Sequence, residues 1–133
     1  MLSFLEILDI ANNNSLKGKI PQCLGNFSYY LRVMNLGMNN CQGTIPDAFA
    51  KSNQLRTIVF SDNNLKGLLP KSFISCTNLE VLGLGNNMIN DLFPYCFEAP
   101  TNLQVLLLKS NKFHGPRGNH NTSGVFFFLA KNS

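Results

Sequence analysis

The sequence predicts an α/β solenoid, a right-handed superhelix in which each repeat adds one short parallel strand and one short helical or 3-10 turn. Three observations predict this fold. The same apolar and asparagine pattern recurs every 24 residues over most of the chain. Leucine and asparagine are almost equally common, at 20 and 19 of 133 residues, which is unusual for a globular domain. The alternating apolar runs are too short to be stable alone, so the coils must stack.

Four regular units carry the pattern L-x-x-L-x-L-x-x-N-x-L-x-G-x-I-P, although the last one lacks the closing Ile-Pro. The units begin at Leu31, Leu55, Leu79 and Leu103. An earlier unit begins at Leu5 and contains one residue too many, so either Asn13 or Asn14 holds its asparagine position. We expect repeats over residues 1–116 and an irregular segment, a truncated repeat, over residues 117–133.

Each element of the unit has a physical role. The L-x-L alternation predicts a strand with one apolar face, and coils stacked about 4.8 Å apart align those faces into apolar columns. The sharp turn after each strand buries backbone groups that have no sheet partner. An asparagine side chain offers both a donor and an acceptor to such groups. We therefore predict a structural ladder of stacked asparagines, formed by Asn39, Asn63, Asn87 and Asn111.

The second half of each unit redirects the chain and closes the core from behind. Glycine permits backbone shapes that a Cβ opposes, and proline fixes φ where the chain changes direction. Three residues after each proline stands a large apolar residue that fits a short outer helical turn. These residues are Leu24, Phe49, Phe73 and Phe97.

The unit resembles the plant-type, extracellular leucine-rich repeat, for which the Gly-x-Ile-Pro ending is specific. Longer strings, such as those at residues 20–28, 60–67 and 110–116, are similar to the membrane-proximal half of plant leucine-rich-repeat receptor-like proteins. The resemblance implies a horseshoe-shaped, non-catalytic ectodomain on the extracellular side of the cell membrane. It also implies a protein or peptide ligand, a co-receptor kinase, and a role in defence or developmental signalling.

The chain departs from that family in its details. Cys41 replaces an apolar residue, Asp91 replaces a glycine, and the paired-cysteine caps of the family are absent. The first ten residues lack the features of a signal peptide, and no apolar run reaches the ~20 residues of a membrane span. We interpret the chain as an internal fragment, a truncated product or a partial gene model.

The outward strand residues and the turn that follows them form the predicted ligand-binding face, because solenoids bind proteins on their concave side. For any single residue the alternative is an inert, solvated sheet face. The predicted contact residues are Asp9, Asn35, Met38, Val59, Asp62, Asn86, Leu107 and Lys109.

The cysteines and the glycosylation motifs give weaker signals. The four cysteines contain no C-x-x-C pair and are expected to be free, buried thiols, although a bridge between Cys76 and Cys96 stays open. Three N-x-S/T motifs are candidate glycosylation sites, at Asn26, Asn13 and Asn121.

The composition argues against several other functions. The lysines and arginines are scattered, so we predict no nucleic-acid partner, and no residue pattern indicates a metal, a cofactor or catalysis. Two alternatives to the receptor remain. One is a soluble inhibitor resembling the polygalacturonase inhibitors of the plant cell wall, and the other is a non-functional gene fragment.

Overall fold

The structure is a computed structural model, and it describes residues 5–13, 16–20, 29–92 and 102–115 together with the backbone of residues 127–129. Short strands alternate between two sheets along this part of the chain. The strands are β1 (Ile7–Asp9), β2 (Lys17–Lys19), β3 (Val33–Asn35), β4 (Asn40–Gly43), β5 (Thr57–Val59), β6 (Asn64–Gly67), β7 (Val81–Gly83), β8 (Met88–Leu92), β9 (Val105–Leu107), β10 (Lys112–His114) and β11 (Phe127–Leu129).

The first sheet has the order β1-β3-β5-β7-β9-β11. Its first five strands are parallel and in register from coil to coil, so that Met34 lies beside Ile58 and Ile58 beside Leu82. This arrangement confirms the predicted solenoid. The sixth strand, β11, pairs with β9 in the antiparallel direction, with Phe128 opposite Leu106.

A second parallel sheet, with the order β10-β8-β6-β4-β2, follows the asparagine of each coil. It adds to every described coil a strand that the sequence pattern did not predict. Two residues after the asparagine of the coil, an apolar side chain such as Leu65 or Ile89 points inward and is buried. The residues beside it have extended backbone that pairs with the next coil, and this pairing forms the strand.

The outer side of the solenoid is less regular than the two sheets. The predicted helical turn is present as a 3-10 helix at Lys71–Ser75, in which Phe73 is buried. The equivalent segment at residues 47–51 contains no helix, yet Phe49 is also buried and its ring stacks 5.1 Å from that of Phe73. Burial of the aromatic ring is therefore shared by these two coils, and the helix is not. Leu24 and Phe97 lie outside the described residues.

The core fills the space between the sheets. The inward residues of the first sheet are fully buried in four successive coils, and the apolar residues of the second sheet face them. The largest fully buried members include Phe60, Met34, Ile58, Leu82, Leu84, Leu106 and Leu108.

The asparagine column lies at the edge of this core, where each strand of the first sheet ends. The Nδ2 of Asn63 donates to the carbonyl of Phe60 in its own coil and to that of Leu36 in the preceding coil, both at 3.0 Å. Its Oδ1 accepts from the backbone N–H of Cys41 at 2.9 Å. Asn87 and Asn111 make the same set of bonds one and two coils further on. Each asparagine thus joins its own turn to the coil before it.

Candidate functional site

The outward residues of the first sheet form the concave face, and strand alternation places two of them on each three-residue strand. One column contains Asp9, Asn35, Val59, Gly83 and Leu107, as the sequence indicates. The second column was missed, although it can be found by stepping back one residue from each inward position. It contains Ile7, Val33, Thr57, Val81 and Val105.

The two concave columns differ in chemistry. The column at the start of the strands is uniformly β-branched, which suits a pleated surface. The column at the end of the strands has a different residue in every described coil, from a carboxylate at Asp9 to an apolar side chain at Leu107. Within a single chain, the repeat is therefore held constant in the core and varied on this part of the concave face.

Two glycines, Gly83 and Gly85, interrupt the side-chain pattern of the concave face at and just after β7, and we name this position the glycine gap. Gly83 and Gly85 are both buried, and neither carries a side chain that would stand above the sheet. A Cβ added at Gly83 would lie 3.1 Å from Ser61 Oγ, so the space above its backbone is already narrow. The half-buried side chains of Val59 and Leu107 stand on the neighbouring strands. The side-chain pattern of the face is therefore interrupted at this glycine gap, between two apolar residues.

Charged residues border the concave face just before four of its five parallel strands, and Gln104 takes this position before the fifth. Arg32 lies 3.6 Å from Glu6 in the preceding coil, and both side chains are largely exposed. Arg56 and Glu80 take the same position in the next two coils. Sequence reasoning missed these residues because they fall at a variable position of the repeat. Exposed ion pairs contribute little to stability, so this border is better suited to orienting a charged partner.

The turn after each first-sheet strand has an unusual backbone. Its central residue has a positive φ in every described coil: Asn12, Met38, Asp62, Asn86 and Ser110. Asparagine and aspartate tolerate this left-handed conformation, and Asn86 Nδ2 also donates to Asp62 Oδ1 across the coils at 2.8 Å. Met38 has no such local preference, yet it adopts a φ of 53° and leaves 48% of its surface exposed. Met38 is therefore a strained apolar side chain on the candidate site.

The remaining predicted residues occupy distinct settings. Asp9 and Lys109 are exposed, whereas Asn35 is half-buried and accepts the N–H of Gly37 through its Oδ1 at 3.0 Å. Of the three glycosylation candidates, Asn13 is exposed. The other two, Asn26 and Asn121, lie outside the described residues.

The described thiols are not poised for chemistry. Cys41 and Cys76 are free and buried, while Cys23 and Cys96 lie outside the described residues. Burial raises the pKa of Cys41, and it raises the pKa of Cys76 to about 11 although Asn53 donates to its Sγ at 3.4 Å. A protonated, enclosed thiol is a poor nucleophile. Within the described ranges, no group of three or more His, Cys, Asp or Glu residues is placed to hold a metal ion.

Asn53 is a buried asparagine that the repeat pattern did not predict. Its Nδ2 donates to the carbonyl of Ala50 at 2.8 Å, and its Oδ1 accepts the N–H of Leu55 at 3.0 Å. It closes the outer loop of one coil. The signal available in the sequence was its place two residues before a repeat leucine, where the next coil has threonine.

The arrangement resembles proteins of known fold and function. A family model described as leucine rich repeat matches residues 53–113, and a second leucine rich repeat model matches residues 4–27 and 30–52. No similar protein was found among curated proteins. No helix in the part of the chain that the structure describes has the length and apolar character needed to span a bilayer.

Several solved structures share the fold. The plant peptide hormone receptor RGFR1, solved with RGF2, is 31% identical with a TM-score of 0.74, and the match covers 84% of this chain and 17% of that one. The ectodomain of the Arabidopsis thaliana receptor kinase GASSHO1/SCHENGEN3, solved with CASPARIAN STRIP INTEGRITY FACTOR 2, is 30% identical with a TM-score of 0.75, covering 81% and 13%. A chain of the BIR3–SERK2 complex from Arabidopsis thaliana is 28% identical with a TM-score of 0.73, covering 81% and 57%. The chain thus spans less than two thirds of each of these structures.

Proposed function

We propose, for a chain that belongs to the leucine-rich repeat family, that it binds a protein or peptide ligand as one segment of a plant receptor ectodomain. Binding takes place on the concave face and involves no chemical step. In this proposal the ectodomain lies on the extracellular side of the cell membrane, in a receptor-like protein of defence or developmental signalling. Asn13, Asn26 and Asn121 are its proposed glycosylation sites.

One observation carries this proposal. The residues that build the core are apolar in every described coil, whereas the outward column at the ends of the strands includes a carboxylate, an amide, a glycine and apolar side chains. Folding requires only that these outward positions fit a pleated surface, so folding alone does not explain their variety. A specific partner does require a non-repeating pattern of charge, polarity and size.

The glycine gap at β7 gives the face a central contact point. Gly83 and Gly85 leave out two side chains there, and the half-buried Val59 and Leu107 on the neighbouring strands provide apolar contact beside the gap. Interfaces gain most of their affinity from such central, desolvated contacts. Met38, Asp62, Asn86 and Lys109 border this contact on the turn side, while Asp9 and Asn35 extend the face toward the first coil.

The solved structures support a peptide or a protein as the partner. The plant peptide hormone receptor RGFR1 was solved in complex with RGF2. The ectodomain of GASSHO1/SCHENGEN3 was solved in complex with CASPARIAN STRIP INTEGRITY FACTOR 2. The BIR3–SERK2 structure is a complex of BIR3 with SERK2. We infer that this chain binds a peptide or a protein surface on its concave face, and that a co-receptor kinase is its second partner.

A peptide-display experiment tests the proposal. A library of random peptides is selected on the 133-residue chain, and the selected peptides are measured against three variants. We expect Val59→Arg and Leu107→Arg to weaken binding about tenfold or more, because each places a long charged side chain beside the glycine gap. Ile74→Arg is the matched control, since Ile74 is 67% exposed on the outer 3-10 helix. Equal losses in all three variants, or no selected peptide, would overturn the proposal.

A further inference from the structure

The second sheet has an outer face that the proposed ligand site does not use. The first and third residues of β2, β4, β6, β8 and β10 all point outward and are exposed. Four of these ten positions are lysines, four are asparagine or glutamine, and none is acidic. We name these ten positions the second-sheet face.

The charge is segregated between the two faces of the solenoid. The concave face and its border carry both signs, including Glu6, Asp9 and Asp62 as well as Arg32 and Arg56. The second-sheet face carries only cations among its charged residues. Asp91, on β8, is half-buried and outside the ten positions of this face, and its Oδ2 and Oδ1 accept the backbone N–H groups of Leu69 and Leu92. The face is thus a row of positive charge on a chain of formal net charge +4.

The lysines are spaced by the strands that carry them. Lys19, Lys66 and Lys112 occupy every second strand of the sheet, so consecutive cations are roughly 10 Å apart along the stack. A single small anion reaches only one of them, and one exposed ion pair contributes less than about 1 kcal/mol. Binding strong enough to matter requires a long partner with repeated negative charges.

A groove in this face shows what else the partner must offer. It has a volume of about 680 Å³. Its polar lining consists of Lys19, Lys66, Gln42, Asn64 and Thr44, and its apolar lining of Ile20, Pro46 and Met88. The stem of Lys19 packs over Gly43, with its Cγ 3.2 Å from the position of an added Cβ, and this contact holds the side chain along the groove. Amides and hydroxyls both donate and accept hydrogen bonds, as sugar hydroxyls do. The lining includes no aromatic residue on which a nucleobase could stack.

From the uncompensated lysine row and the amide-lined groove, we propose that the second-sheet face binds an acidic polysaccharide, a chain of sugars that carries repeated carboxylates. The lysines pair with the carboxylates, and the amides and Thr44 bond to the hydroxyls. This surface is separate from the concave ligand site and is used independently of it.

Binding of a size-defined oligogalacturonide to the 133-residue chain tests the proposal. We expect Lys19→Gln combined with Lys66→Gln to weaken binding roughly five- to tenfold and to reduce its salt dependence, because two ion pairs are lost. The control combines Lys51→Gln with Lys71→Gln, which removes the same charge from exposed positions outside this face. We expect this control to bind like the original chain.

Two competing probes make the test specific. The methyl-esterified oligomer retains its hydroxyls but lacks the carboxylates, and we expect it to bind far more weakly. Poly-L-glutamate supplies the carboxylates without sugar hydroxyls, and we expect it to compete poorly. Equal loss in the Lys51 and Lys71 control, equal binding of the ester, or equal competition by poly-L-glutamate would each overturn the proposal. The peptide assay on Val59→Arg is a separate readout, so one proposal can fail while the other stands.

Discussion

The first coil and the interior coils share one sequence pattern but differ in how well they bury it. In the strand column of the core, Met34 and Ile58 are completely buried, whereas the equivalent Leu8 is only half-buried. In the next inward column, Phe60 is 1% exposed and Ile10 is 37% exposed. Burial at these positions therefore depends more on the coils packed against them than on the residue type.

The asparagine ladder shows the same difference. Asn63 uses both its Nδ2 and its Oδ1, the latter to accept the N–H of Cys41. Asn39 donates to the carbonyl of Ile10 at 2.9 Å, but its buried Oδ1 has no hydrogen-bond partner among the described residues. Cys41 pairs with Gly18 at a step of 23 residues, while later coils pair at a step of 22, in keeping with the extra residue of the first unit.

Truncation of an inward side chain of the first sheet should show the largest difference between the first coil and the interior coils. We expect Ile58→Ala to lower the free energy of unfolding by about 2–5 kcal/mol, because it leaves a cavity between two packed coils. Leu8→Ala should cost about 1 kcal/mol, since part of that side chain is already in water. Chemical denaturation of both variants measures the difference. Equal losses would show that the first coil is packed like the interior.

Removal of the asparagine side chains gives the next largest effect. Asn63→Ala should cost about 1–3 kcal/mol, because it leaves the N–H of Cys41 without a partner and removes one of the two amide donors to each of the carbonyls of Leu36 and Phe60. Asn39→Ala should cost less, since no N–H donates to its Oδ1. Denaturation midpoints compare the two variants. A well-folded Asn63→Ala that loses less than about half a kcal/mol would contradict the role of the asparagine column.

The glycines of the second sheet sharpen the comparison. Gly67 has a φ of +81°, and a Cβ there would lie 2.7 Å from Thr44 Cγ2 in the preceding coil. Gly18 has a φ of +100° but has nothing within 4 Å of an added Cβ. We expect Gly67→Ala to cost about 2 kcal/mol and Gly18→Ala about 1 kcal/mol, because only the first adds a clash to the backbone strain. Combining Thr44→Ala with Gly67→Ala should restore the stability that the clash removes. If no stability is restored, the clash is excluded as the cause of the larger loss.

The buried thiol of an interior coil gives the smallest effect. The pKa of Cys76 is raised to about 11 by burial, above the value near 9 of an exposed thiol. Between pH 9 and pH 11 the unfolded chain therefore loses a proton that the native chain keeps, and stability falls as the pH rises. At pH 10 the loss is about 1 kcal/mol. Cys76→Ala should remove this part of the pH dependence, and an unchanged profile would show that solvent reaches the thiol.

The periodic part of the fold was predictable from sequence, and the tertiary details were not. The inward columns and the place of Asn63 follow from spacing alone, because identical coils must stack in register. The second sheet was missed since alternation over three or four residues, as in β4, is too short to separate a strand from a loop. The antiparallel direction of β11 depends on which edge it meets, and that is a tertiary contact.

The candidate site was predictable in outline only. Alternation placed Val59 and Leu107 on the concave face, but it gave no sign of the positive φ at Met38, which is set by the turn geometry that all coils share. Arg32 and Arg56 were missed because they fall between the constant positions of the repeat. The constant positions of the repeat predict the core, and the variable ones become interpretable only when the coils are placed side by side.

Native-state hydrogen exchange of Asn63→Ala tests most directly whether each asparagine joins its turn to the preceding coil. Cys41, Leu65 and Ile89 donate their backbone N–H to Asn63, Asn87 and Asn111 respectively. We predict that exchange at Cys41 accelerates well beyond that at Leu65 and Ile89, whose acceptors remain. Equal acceleration at the three amides, or unchanged exchange at Cys41, would contradict the account.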